Sequence, residues 1–185
     1  MGHPQVHSDW GVTNGADMPG SIELRKMRVL VVGLARTGVA TVLFCAGHNA
    51  VVTATETRTE SELGEAPARL REAGVALELG GHTEKTFLAQ DLIVPSPGVP
   101  ADDKFLMLAK SKGITVWSEI ELAYRFLEGK LIGITGSNGK TTTTTLVGKI
   151  FADAGLKTLV GGNIGLPVVE LVEASARKEQ VGVGD

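Results

Sequence analysis

The sequence predicts an α/β protein, a Rossmann-like parallel-sheet domain followed by an incomplete P-loop ATPase-type central domain. Three observations predict it. Short β-branched apolar runs alternate with longer segments of helical period. Several of those runs end in glycine, as a strand does when it turns sharply into a helix. A second glycine-rich turn, late in the chain, carries a lysine and threonines at its helix-entering end.

Residues 1–26 are polar, rich in Gly and Pro, and without period, and they read as a flexible N-terminal extension. The first strand is expected at residues 28–32 (RVLVV), a buried parallel strand ending at Gly33. A core helix over 38–46 closes at Gly47, and a second strand covers 51–55. A helix over 67–73 and a short strand at 76–79 follow, then a strand at 91–94 entering the loop Pro95-Ser96-Pro97-Gly98. A helix over 104–112, a strand at 114–116 and a helix over 118–127 complete this unit; Ser118 with Glu121 has the form of a capping box.

Strand–helix alternation implies right-handed crossovers and a sheet covered on both faces, with ligands at the carboxyl ends of the strands. The loops after Val32, Thr55 and Val94 should then share one rim. A boundary is expected near Glu128-Gly129-Lys130, dividing residues 27–129 from 130–185. In the second unit a strand at 131–134, a helix to about residue 154, a strand at 157–160 and a helix over 167–176 are expected. Two strands are too little sheet for a self-sufficient parallel domain, so the unit reads as truncated.

The chain has 185 residues, a formal net charge of −3 and no long basic run, which argues against a nucleic-acid partner. No apolar run reaches membrane-spanning length, and the N-terminus lacks the plan of a signal peptide, so a cytoplasmic protein without membrane insertion is expected. Cys45 has no partner for an internal disulfide and reads as a buried structural thiol in a reducing compartment. The four histidines lack metal-ligand spacing.

Thr135-Gly136-Ser137-Asn138-Gly139-Lys140-Thr141-Thr142 is the sharpest feature. A triphosphate needs inward amides, small residues that let it approach, a helix N-terminus, an ammonium and a hydroxyl for magnesium. Gly136, Ser137, Asn138, Gly139, Lys140, Thr141 and Thr142 supply these parts, although a strict Walker A would place glycine where Ile134 stands. The earlier turn Gly33-Leu34-Ala35-Arg36-Thr37-Gly38 has the outline of a dinucleotide fingerprint without its middle glycine. Glu56, ending the next strand, lies where an acidic side chain meets a ribose or base edge. The same turn would also serve as a packing turn with no ligand. Arg36 and Arg58 flank the rim and suit a diphosphate, or simply solvent. Ser96-Pro97-Gly98 and Gly161-Gly162-Asn163-Ile164-Gly165 each read either as a ligand-side loop or as a plain turn. His82, after two glycines, reads as a solvated turn residue or a loop ligand.

Taken in order, GLARTG (33–38), TETR (55–58), SPGV (96–99), ITGSNGKTTTT (134–144) and GGNIGLP (161–167) resemble the Mur ligase family, most closely its D-glutamate-adding branch. The resemblance covers residues 27 to about 172. It implies a first domain that binds UDP-N-acetylmuramoyl-L-alanine. Arg36 and Thr37 would lie at the diphosphate, Glu56, Thr57 and Arg58 on the uracil side, Ser96 and Gly98 beside the uridine, and Asn163 at the muramoyl part. Asp is the familiar residue at the position of Glu56, which is one methylene longer.

Gly136 to Thr142 would hold ATP, with Lys140 and Thr141 as catalytic residues and Thr141 a ligand of Mg2+. The implied enzyme is an ATP-dependent acid–amino-acid ligase, working as a monomer and joining D-glutamate to its substrate through an acyl phosphate. The family's magnesium-binding glutamate, modified lysine, later histidine and third domain are not found before Asp185. The chain by itself is therefore expected to be inactive. Rival readings are another Mur or folylpolyglutamate-type ligase, a Rossmann-type nucleotide-binding module such as an NAD binder, and a P-loop kinase or GTPase.

Overall fold

The computed structural model describes residues 22–162 and 165–176. Five parallel strands make one sheet in the order β3-β2-β1-β4-β5. They are β1 (Arg28–Val32), β2 (Val51–Glu56), β3 (Ala76–Leu79), β4 (Leu92–Pro95) and β5 (Thr115–Val116). The helices are α1 (Arg36–Gly47), α2 (Ala66–Glu72), α3 (Glu84–Leu88), α4 (Lys104–Ser111), α5 (Glu119–Tyr124), α6 (Lys140–Asp153) and α7 (Val168–Ala176). A 3-10 turn, Glu60–Glu62, follows β2.

Alternation along β1 explains the layering. Val29 and Val31, with Leu92 and Val94 of β4, face a core shared with α1, α5 and α7. Leu30 and Val32, with Ile93, face the opposite core, which is filled by Phe87 of α3 and by Leu106 and Ala109 of α4. Residues of both parities are therefore apolar, as a sheet covered on both faces requires. Cys45, on the inner face of α1, is fully buried, and burial pushes its thiol up to about 12. That matches the expectation of an inert structural thiol.

Several elements differ from expectation. Helix α1 begins at Arg36 rather than 38, because Gly33 at φ 89° turns the chain within the fingerprint itself. The short helix α3 and the 3-10 turn were not expected. Thr59 and Glu62 form a reciprocal capping box around that turn. At Ser118 only half of the expected box exists: its hydroxyl accepts from the Glu121 amide at 3.1 Å, while the Glu121 carboxylate reaches Arg125.

The strands expected at 131–134 and 157–160 do not form. A strand exists through hydrogen bonds to a neighbour, and among the described residues neither segment finds one. Leu131 and Ile132 remain about half exposed. An isolated bridge joins Gly161 to Leu166. Among the described residues no helix is long and apolar enough to cross a membrane.

Candidate functional site

The chain leaves β1 toward β2 on one side and returns to β4 on the other, so the sheet changes direction between β1 and β4. Such a switch point opens a crevice at the carboxyl ends of the two strands. Here the crevice is a cleft of about 270 Å³, walled by residues 35–37, residues 96–98 and the later Gly162, Gly165 and Pro167. Arg36, Thr37, Ser96 and Gly98 thus come together, as expected for one rim.

The two strand-end turns are pressed tightly together. The Ser96 hydroxyl donates to the Gly33 carbonyl at 2.8 Å. A β-carbon on Gly38 would lie 1.9 Å from that carbonyl oxygen and 2.6 Å from Ser96 Oγ, so Gly38 admits no side chain. Ser96 is buried and its hydroxyl proton serves this contact, which makes it a clamp between the turns. Helix α1 starts with no side-chain cap and no acidic residue in its first turn. Its N-terminal amides and the exposed Arg36 face the cleft region as an anion-attracting end.

Glu56 ends β2 beside this cleft. Its carboxylate accepts from the Leu34 amide at 2.8 Å, from the Arg58 guanidinium at 2.8 Å and amide at 3.2 Å, and from the Thr57 hydroxyl at 3.1 Å. Burial pushes the carboxyl up, but these hydrogen bonds outweigh it and hold the group down at about 2. Glu56 is 7% exposed, so it shapes the fingerprint turn and orients Arg58. Thr57 and Arg58 themselves are exposed at the rim.

Two contacts here were not foreseen. His82 Nδ1 lies 2.7 Å from the Thr55 hydroxyl, and its ring stands edge-on to Phe87 and Phe105. His82 is therefore a partly buried rim-supporting residue rather than a solvated one. Glu119, the first residue of α5, is buried, and its carboxylate accepts from the Val169 amide of α7 at 2.7 Å. The nearby Ser118 and Glu121 were legible as a helix start. Nothing in the sequence linked Glu119 to a helix fifty residues on.

The phosphate-loop candidates form a separate cluster that does not line the switch-point cleft. Gly136 at φ 151° and Gly139 at φ 76° take backbone conformations that favour glycine, and Gly139 is the N-cap of α6. Lys140 folds back so that its ammonium donates to the Gly136 carbonyl and, at 3.2 Å, to that of Ser137. Thr141 and Thr142 are exposed on the first turn of α6, with Ser137 and Asn138 exposed in the loop. Positive-φ glycines, an uncapped helix start and a lysine within reach make a fitting cradle for a polyphosphate. Thr141 offers a hydroxyl to a metal ion, and no group of three or more His, Cys, Asp or Glu that could hold one occurs among the described residues. A larger cleft of about 630 Å³, lined chiefly by apolar residues such as Ile134, Val147, Phe151 and Val160, contains none of the candidate residues. Asn163 lies outside the described residues.

Two family models match consecutive stretches of the chain: Mur ligase MurD-like, N-terminal domain, over residues 27–118, and Mur ligase middle domain over residues 134–183. A UDP-N-acetylmuramoylalanine--D-glutamate ligase of Geotalea uraniireducens strain Rf4 is 52% identical over 162 residues. One of Geotalea daltonii is 51% identical over the same length. Each alignment covers 88% of this chain and 36% of the relative, so the chain spans about a third of the relatives' length. A solved murein peptide ligase from Psychrobacter arcticus overlays with a TM-score of 0.48 and 20% identity, covering 86% of this chain and 34% of that one, too loosely to add weight. With an N-terminal-domain match over residues 27–118 and a middle-domain match over residues 134–183, both of the same family and in order, the chain belongs to the Mur ligase family.

Proposed function

We propose that this chain carries the uridine-nucleotide and ATP-binding portions of the ligase that adds D-glutamate to UDP-N-acetylmuramoyl-L-alanine in peptidoglycan synthesis. The observation that carries the reading is the pairing of two phosphate-accepting helix starts: α1 at the switch-point cleft and α6 behind Gly139. In this reading residues 27–129 form the UDP-substrate domain, residues 130–185 begin the ATP domain, and residues 1–26 are an extension. The protein acts as a cytoplasmic monomer that binds neither nucleic acid nor membrane.

The assigned roles follow from placement. The Arg36 guanidinium and the α1 amides, beside Thr37, meet the diphosphate. Thr57 and Arg58, oriented by Glu56, meet the uracil side, while Ser96 and Gly98 shape the uridine wall and Asn163 meets the muramoyl part. At the second site Gly136 to Thr142 wrap the ATP phosphates and Thr141 presents its hydroxyl to Mg2+, which would neutralise charge on the transferring phosphoryl group. Lys140 exchanges the Gly136 and Ser137 carbonyls for β- and γ-phosphate oxygens. A substrate carboxylate oxygen then takes the γ-phosphoryl group as ADP leaves. The D-glutamate amine attacks the resulting acyl phosphate, and inorganic phosphate departs as the amide forms.

Calorimetric titration of the chain tests the reading. UDP-N-acetylmuramoyl-L-alanine should bind, and Arg36→Ala should weaken it by about tenfold, the loss of one charge-assisted contact. NAD should not bind. Tight binding of NAD with none of the uridine nucleotide would replace the ligase reading with a dinucleotide-binding module.

A further inference from the structure

We propose that Glu119 is a positioning residue for the substrate cleft: by capping α7 it fixes Gly162, Gly165 and Pro167 as that cleft's third wall. The inference rests on the reading of the cleft as the uridine-substrate site.

Glu119 is only 4% exposed, and its carboxylate accepts from the Val169 amide at 2.7 Å. The first amides of any helix lack partners within it, and a buried helix start must find them elsewhere. α7 finds one fifty residues earlier in the chain, on α5. A carboxylate at such a depth is costly unless backbone donors meet it, and an apolar side chain would fill the space at less cost. Burial pushes the Glu119 carboxyl up, the Val169 and Val168 amides pull it down, and Glu170 nearby pushes it up again.

The link then runs from α7 to the cleft. A β-carbon on Gly161 would lie 2.5 Å from Leu171 Cδ1 and 2.7 Å from the Leu166 carbonyl oxygen. The Gly162 amide donates to that same carbonyl at 2.8 Å. The turn is therefore seated directly on α7 and moves with it. Gly162, Gly165 and Pro167 face the cleft opposite the 35–37 and 96–98 turns. At its other end the link is anchored, because Leu122 and Ala123 of α5 are fully buried in the sheet's core. Glu56, Thr57 and Arg58 are not among the residues lining this cleft. In the proposed reading UDP meets the 35–37 and 96–98 turns, and the muramoyl part reaches the third wall. The larger ligand should therefore feel that wall more than UDP does.

The test compares UDP with UDP-N-acetylmuramoyl-L-alanine on the 185-residue chain by titration calorimetry, with the Val169 amide followed by nitrogen-15 NMR. In Glu119→Ala the preference for the larger ligand should fall by about tenfold or more, while UDP affinity stays within about twofold. The Val169 amide should lose its exchange protection. Glu119→Gln keeps a carbonyl acceptor and should restore both to near the parent value. If the alanine variant does not fold, Glu119→Met, of similar length without an acceptor, takes its place against the glutamine variant. An unchanged preference, an equal loss for both ligands, or a glutamine variant no better than its apolar counterpart would each overturn the proposal. Binding of both ligands by the parent with no change in the variant sinks the cap alone. Binding of neither by the parent removes the cleft reading and this inference with it.

Discussion

At the scale of single residues, Glu56 is the most consequential side chain in the first unit. Its carboxylate collects four hydrogen bonds and holds the fingerprint turn and Arg58 in place. The carboxyl is depressed from 4.5 to about 2 in the folded chain. A depressed carboxyl contributes stability that is present above its unfolded value and is lost as pH falls through the folded one. The window is therefore roughly pH 4.5 down to 2. Urea unfolding at pH 7 and at pH 3 should show a steeper loss for the parent than for Glu56→Gln, which has no such titration. Parallel losses would refute the assignment. The chemistry of this residue was only half legible: strand-end placement marked it as a rim acid, yet one of its partners, the Leu34 amide, lies in a turn twenty-two residues earlier and depends on the parallel register of β1 with β2.

Among elements, the β1–α1 and β4–α4 turns form one packed unit. Gly38 could be read from the sequence as part of a fingerprint, but the reason for glycine there is the Gly33 carbonyl oxygen, 1.9 Å from where a β-carbon would stand, with Ser96 Oγ next at 2.6 Å. Gly38→Ala must force open the β1–α1 turn and displace Ser96, and should cost about 2 kcal/mol or more. Urea denaturation measures it, and an unchanged midpoint would contradict the geometry. The five strands of the first sheet were legible as short runs, β-branched in β1, β2, β4 and β5, with glycine directly after β1 and β3 and proline at the end of β4. The segments at 131–134 and 157–160 carry the same local signal. They fail to pair because a strand is a property of its neighbours, and local sequence does not report whether a neighbour is there. Helix α3, only five residues long, gave too little period to be seen.

For the molecule as a whole, the order of elements along the chain differs from their order in space. α7 comes after the phosphate loop, yet Val168, Val169 and Val172 pack into the same core as Val29 and Val31 of β1. Full burial of a valine stabilises by about 1.5–3 kcal/mol. A chain ending after Lys130 should therefore melt at least about 10 °C below the 185-residue chain in scanning calorimetry. Equal melting temperatures would show that α7 rests on the first unit without stabilising it. This long-range packing was illegible in the sequence, where α7 is simply an amphipathic segment following a glycine-rich turn.

The walls of the switch-point cleft are drawn from residues 35–37, residues 96–98, and Gly162, Gly165 and Pro167. A ribosome delivers them in that sequence, and the last arrives well after the five strands are available to pair. The nascent sheet can thus assemble early, as first units generally do during synthesis. Its cleft gains a third side only when Pro167 has left the exit tunnel.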